Sequence, residues 1–301
     1  MNSLAIALAV SLTLAGVTGG QWETIGSEHF VVSYRPGDES VAEELVGVAE
    51  RHLPRIADHL GVGVPPRIDV VVAADDADFA RLLAGGVPDW GIAVAIPDRR
   101  LLVFKSTRTA ARPYDFERVV AHEISHILLG ELVGEGWVPR WLDEGVAMLE
   151  SGELRWNDNM RLAYAVLVNS ILPLSALEMG FPADEGEAAL AYAESKVAVE
   201  YLVERFGFEG LSTLLRSFGQ GDEVNEAFRR SLGLSYRSFE KDWRSYLRSH
   251  HGWVVLMGER YVAFVILTII FLLAYLVKRQ RTRAKLRRWE EEEEAEPSVE
   301  W

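Results

Sequence analysis

Residues 122–126 read His122-Glu123-Ile124-Ser125-His126. On a helix, residues four apart share a face, so both imidazoles can reach one metal ion. The carboxylate between them then stands beside that ion, where it can act as a general base. Two imidazoles at this spacing suit a single Zn2+. Phe116, Val119, Val120, Ile124, Ile127 and Leu128 supply the apolar face such a helix needs, and Gly130 offers a stop. The chain contains no cysteine. Disulfides, thiolate zinc sites, iron–sulfur clusters and a Cys nucleophile are thereby excluded. Any metal site is built from His, Asp and Glu, and the chain has only seven histidines from which to build it.

Two histidines do not complete a catalytic zinc site, which carries three protein ligands and an open position. The segment Trp141-Leu142-Asp143-Glu144-Gly145-Val146-Ala147, preceded by Pro139, offers Asp143 and Glu144. By residue chemistry alone these two carboxylates are equal candidates, and acids at a helix start are also favoured simply by the helix dipole.

Taken together, residues 122–126 and 141–147 resemble the gluzincin metallopeptidases. The second segment is similar to the W-L-N-E-G-F-A of the M1 aminopeptidase-like group. The likeness is strongest to the small peptidase MA-like families, whose catalytic domain is minimal. The resemblance implies one Zn2+ held by His122, His126 and Glu144, with Glu123 as general base. The 17 residues between His126 and Glu144 lie within the family's range. Ala191-Tyr192-Ala193-Glu194-Ser195, the run Tyr201 to Gly207, Leu214-Leu215 and Phe239 to Trp243 resemble the C-terminal half of the same families. By that likeness Tyr192 is the residue that hydrogen-bonds the oxyanion. The likeness covers roughly residues 25 to 250. No G-A-M-E-N-like segment is present, so binding of a free substrate amine, and with it exopeptidase activity, is unsupported. A zinc ion acidifies its water towards a pKa of ~7 and polarises the scissile carbonyl. Glu123 would take the water's proton and pass it to the leaving amine.

The elements that must position these residues are legible from pattern. His29 to Tyr34, Arg67 to Val72, Gly91 to Ile96 and Leu101 to Lys105 read as strands, the last two joined through Pro97 to Arg100 as a hairpin-like pair. Such a pair could supply an edge strand that takes up an extended peptide. Glu39 to Leu60 has apolar residues at helical spacing, stopped by Gly61-Val62-Gly63. Beyond residue 113 the pattern is helical: Tyr114 to Leu129, Arg140 to Glu150, Ala188 to Phe206, Gly210 to Phe218, Asp222 to Leu232 and Tyr236 to His250. Strands first and helices after predict an α+β, zincin-like domain: a small N-terminal mixed sheet and a helical C-terminal half. His52 and His59 read as surface or packing residues, His250-His251 as interfacial, and Trp137 and Trp141 as core beneath the second motif.

The ends of the 301-residue chain read differently. Leu4 to Val17 is apolar or small and too short for a span, which suits a secretory signal over residues 1–20. Residues 21–252 form the expected extracytoplasmic domain. Trp253 to Val277 gives about 25 residues, enough for a transmembrane helix. Seven basic residues follow between Lys278 and Arg288, and the positive-inside rule places this tail, residues 278–301, in the cytoplasm. The tail also holds seven acids and nets zero, so the formal charge of −14 belongs to the residues before it. A domain this acidic is a poor partner for nucleic acid. The expected context is a bacterial cell envelope. The expected activity is that of a membrane-anchored zinc metallopeptidase acting on a peptide or protein substrate. The alternative is a weak or inactive peptidase-like binding or assembly factor, since fold does not fix function. The intact set His122, Glu123, His126 and Glu144 argues against it. A structural zinc protein is disfavoured by the missing fourth protein ligand.

Overall fold

A computed structural model describes residues 21–83, 91–109, 115–152 and 156–295; for 156–157, 251–263, 265 and 284–295 it describes the backbone alone. Five short strands make one mixed sheet in the order β1-β2-β3-β5-β4: β1 Glu23–Gly26, β2 Phe30–Tyr34, β3 Ile68–Ala73, β4 Ala93–Ile96 and β5 Leu101–Lys105. β2, β3 and β5 run parallel, while β1 and β4 pair antiparallel at the two edges. Strand residues alternate between faces. Phe30, Val32, Ile68, Val70, Val72, Leu102 and Phe104 join the main core with the helices. Val31, Val71, Leu101 and Val103 face the other way and close over Phe79.

Helix α1 (Glu39–Leu60) ends where expected, because Gly61 takes the left-handed conformation (φ 63°) that terminates a helix at little cost. The short α2 (Asp76–Leu82) was not expected; it carries Phe79 and is capped by Asp75. The motif helix α3 (Phe116–Val133) starts on an Asp115 side-chain cap and runs through the expected stop at Gly130, ending at Gly134. A glycine inside a helix costs only about 1 kcal/mol, and the position is packed: a Cβ on Gly130 would stand 2.4 Å from the Pro97 ring. The α+β expectation holds, and the helical half continues with α4 (Arg140–Ser151), α5 (Trp156–Leu167), α6 (Glu185–Gly219), α7 (Val224–Leu232) and α8 (Tyr236–Ala295). The two helices expected over 188–218 are one element bent at Gly207, whose backbone (φ 71°, ψ 174°) is non-helical.

The pairing of α4 with α6 holds the second motif in place. Gly145 lets the helices approach so closely that a Cβ there would stand 2.5 Å from the Ser195 carbonyl oxygen and 2.6 Å from Val199 Cγ2. Gly145→Ala is therefore expected to destabilise the fold by about 1–3 kcal/mol, the usual cost of overpacking, read as a lower denaturation midpoint in urea. Trp141 is fully buried, packs on Phe228, Tyr236 and Phe239, and donates its Nε1–H to the Tyr236 hydroxyl at 3.1 Å. Trp137, expected in the same core, is instead 45% exposed, because it lies in the turn before Pro139 rather than on α4.

α8 is one 60-residue helix. Among the described residues no helix is long and apolar enough to cross a membrane; the segment expected to span, residues 253–277, lies within α8, where the side chains of 253–263 and 265 are not described. The signal expected over residues 1–20 and the last residues of the tail, 296–301, also lie outside the described residues.

Candidate metal centre

α3 presents His122 and His126 one turn apart, with ring centroids 5.0 Å from each other. α4 brings Glu144 against them: Glu144 Oε2 lies 3.4 Å from His122 Nε2 and 3.8 Å from His126 Nε2. One donor atom from each residue falls within 4.8 Å of the others. Ligands around a tetrahedral zinc at 2.0–2.2 Å stand roughly 3.4 Å apart, so the donor set and its spacing fit such an ion. Among the described residues this is the group of His and carboxylate side chains arranged to hold a metal.

His126 and Glu144 are each held by a second contact. Asp143 Oδ1 bonds His126 Nδ1 at 2.7 Å, leaving Nε2 to face Glu144. Asp143 thus orients a ligand rather than joining the set, in the carboxylate–histidine arrangement common around metals. Arg140, one turn before Glu144, pairs with Glu144 Oε1, so that Oε2 is the oxygen turned to the imidazoles. The i,i+4 pairing of opposite charges was present in the sequence, but its role there was not evident. Burial would raise the Glu144 carboxyl; hydrogen bonding from His122 and the charges of His126 and Arg140 outweigh it and hold Glu144 at about 2. Burial would likewise depress His126, but Asp143, Glu144 and Glu123 raise it to about 10.

A protonated imidazole cannot ligate. In the metal-free protein His126 carries its proton at neutral pH, and metal must displace it. Apparent zinc affinity is therefore expected to rise with pH between 6 and 9, by up to roughly tenfold per unit for each proton displaced. Competition titrations with a zinc chelator at several pH values check this, and a flat profile would contradict it.

Glu123 is buried beside the triad. Burial pushes its carboxyl above the ordinary range, the charges of His122 and His126 pull it back, and the Ala95 backbone N–H donates to it. That contact joins the motif helix to the edge strand. In the β4–β5 ladder, the 92–105 bond makes 94–103 the next hydrogen-bonded pair, so the N–H and C=O of Ala93 and Ala95 point to the free edge. Tyr192, on α6, also reaches the site: it hydrogen-bonds Arg140, and burial first, then Glu144, pushes its phenol up to about 12. Its ring meets Phe181 edge-on at 4.7 Å. All five residues anticipated from the sequence are thus brought together. Arg140 and the Ala95 N–H were not anticipated; only the helical spacing could have pointed to the first, and nothing in the sequence to the second.

His52 and His59 are structural. His52 pairs with Glu117 at 2.9 Å, and His59 with the buried Glu150 at 2.8 Å while stacking on Phe208. A cleft of about 430 Å3 beside Trp137, Phe218 and Val224 shares none of the triad's residues.

A family model described as the Peptidase MA superfamily matches residues 49–249, about two thirds of the chain. The chain is 32% identical over 117 residues to an aminopeptidase N of Acetobacter pasteurianus, which is 38% of this chain and 31% of that protein. It therefore spans about a third of the length of that curated relative. Among solved structures it is similar to an M1 zinc metallopeptidase from Deinococcus radiodurans (21% identity, TM-score 0.43), over 75% of this chain and 51% of that one. A two-domain M1 zinc metallopeptidase mutant bound to L-arginine matches over the same shares at 18% identity and TM-score 0.43.

Proposed function

This chain belongs to the Peptidase MA superfamily, and from that premise we propose that it is a zinc metallopeptidase, anchored in a membrane by α8, that hydrolyses peptide bonds. The observation that carries the reading is the convergence of His122, His126 and Glu144 with the Glu123 carboxylate buried beside them. His122, His126 and Glu144 are the ligands. When bound, zinc acidifies a water and polarises the scissile carbonyl. Glu123 accepts the proton of the attacking water and returns it to the leaving amine. Its raised affinity for protons, set by burial, suits both halves of that exchange. Tyr192 stays protonated at every working pH and donates its O–H to the oxyanion. Arg140 fixes both Glu144 and Tyr192. An extended substrate adds antiparallel to the free edge of β4, using the N–H and C=O of Ala93 and the C=O of Ala95, whose N–H goes to Glu123.

The anchoring reading rests on the uncharged run from Tyr261 to Val277 and the seven basic residues after it. It is supported by Phe264, Leu267, Phe271 and Leu273 of α8, each more than half exposed along the helix. In this reading residues 1–20 are a signal, the domain over residues 21–252 faces the cell envelope, and the tail is cytoplasmic.

The test is direct. Full-length protein purified in detergent is expected to cleave a quenched fluorescent peptide library, to stop after dialysis against a chelator, and to recover with zinc. Recovery with no dependence on metal would refute the reading.

A further inference from the structure

Tyr192 is held from two sides, and the two holds are joined to each other. Phe181 stands edge-on to its ring at 4.7 Å, with the two planes almost perpendicular, an arrangement aromatic pairs favour. At the other end of the ring, the Arg140 guanidinium hydrogen-bonds the phenolic oxygen. The backbone closes the circuit: the Arg140 N–H donates to the Glu178 carbonyl at 2.8 Å, three residues before Phe181. Arg140 and Phe181 therefore belong to segments fixed to one another, and α6 carries Tyr192 between them.

The same guanidinium reaches the metal set. It pairs with Glu144 Oε1, and its Nη1 lies 3.7 Å from the carboxylate of Asp143, which orients His126. The Arg140 side chain is 47% exposed. Ion pairs that solvent reaches this freely add little to stability, so these contacts matter more for where they point than for holding the fold.

The direction follows from donor chemistry. A guanidinium donates and never accepts. The Tyr192 oxygen must therefore accept from Arg140, and its own hydrogen lies on another side of that oxygen. Among the described residues no group accepts this hydrogen; Glu144 and Glu123 act on the phenol through their charge alone. Without Arg140 the hydroxyl can rotate about its C–O bond and donate to the Glu144 carboxylate, which would remove it as a donor and weaken the ligand. With Arg140 in place, a cationic donor on the oxygen also polarises the O–H and makes it a stronger donor.

We propose that Arg140 is a positioning residue: it occupies the acceptor side of the Tyr192 oxygen, so that the hydroxyl hydrogen is left for the oxyanion, and through Glu144 it ties that donor to the metal set. This rests on the peptidase reading above and goes beyond it in assigning the direction of the donor and the residue that sets it.

The test is a double-mutant cycle on the full chain in detergent, at saturating zinc, with metal content measured for every variant. Tyr192→Phe is expected to lower kcat by about 10²–10³-fold, the usual worth of one oxyanion donor. Arg140→Met is expected to lower kcat by about 10–100-fold while KM stays within about threefold, the mark of an interaction made in the transition state. Added to Tyr192→Phe, it should cost no more than about a further threefold, because residues acting through one contact are not additive. Arg140→Lys keeps the charge but not the fork that serves two partners, and its kcat should fall between wild type and Arg140→Met. Losses that multiply across the cycle overturn the proposal, since Arg140 then acts through Glu144 or the fold and not through Tyr192. A second readout needs neither metal nor turnover. In protein carrying 13Cζ-labelled tyrosine, the Tyr192 resonance is identified by its disappearance in Tyr192→Phe. It is expected to move in metal-free Arg140→Met; an unmoved resonance also overturns the proposal. A wild-type chain that holds zinc and cleaves no peptide removes the peptidase reading and this proposal with it, whereas cleavage with multiplying losses removes this proposal alone.

Discussion

Glu123→Gln is expected to leave bound zinc unchanged while peptide hydrolysis falls by about 10²–10⁴-fold, the usual worth of a positioned acid–base group. The physical reason is local. Glu123 is buried next to the two imidazoles and takes the Ala95 N–H, yet the triad is formed without it. Glutamine preserves the volume and can still accept from Ala95, so the fold and the metal set survive. It cannot accept the proton that the reaction must store between attack and departure. Metal analysis alongside steady-state kinetics reads both quantities in one preparation. In cells, the variant should match a deletion if the protein works by proteolysis. Full cellular function with intact zinc and no cleavage would instead make the domain a binding or assembly factor.

Glu144→Ala is expected to reduce bound zinc from close to one per chain to nearly none, with activity lost in parallel, because two imidazoles alone are an incomplete set. The same substitution takes one partner from the Arg140 guanidinium and removes one of the carboxylates that raise the proton affinity of both histidines. Asp143→Ala, one residue away, should behave differently. His126 loses the acceptor at its Nδ1 but keeps its metal-facing nitrogen, so affinity should fall by roughly 10–100-fold with the ligand set intact. Zinc titrations of the two variants at pH 8 separate the roles. Full zinc in Glu144→Ala with none in Asp143→Ala would reverse the assignment.

Much of the site was legible because its chemistry is local. His122 and His126 lie one helical turn apart, and that spacing follows from the α-helix itself. The bounds of α1 and the strands from β2 to β5 were legible for the same reason: apolar periodicity and a terminating glycine act over a few residues. Local chemistry stopped at Asp143 and Glu144. Both are carboxylates on the first turns of one helix, and resemblance to known peptidases, not physics, favoured Glu144. The structure separates them by the roll of α4 against α3, which turns Glu144 inward to 3% side-chain exposure and leaves Asp143 at 22%, beside His126 Nδ1. That roll is set by the α4–α6 contact at Gly145 and by the burial of Trp141 among residues 87 to 98 positions further along the chain. The same long-range packing places Tyr192 beside Arg140, carries α3 past Gly130 against Pro97, leaves Trp137 exposed, and brings the Ala95 N–H to Glu123. α5 escaped the sequence reading altogether. Residue identity and helical pitch determine which atoms are available to a metal; only the packing of distant helices decides which of them face it, because side-chain direction depends on a rotation that no short stretch of chain specifies.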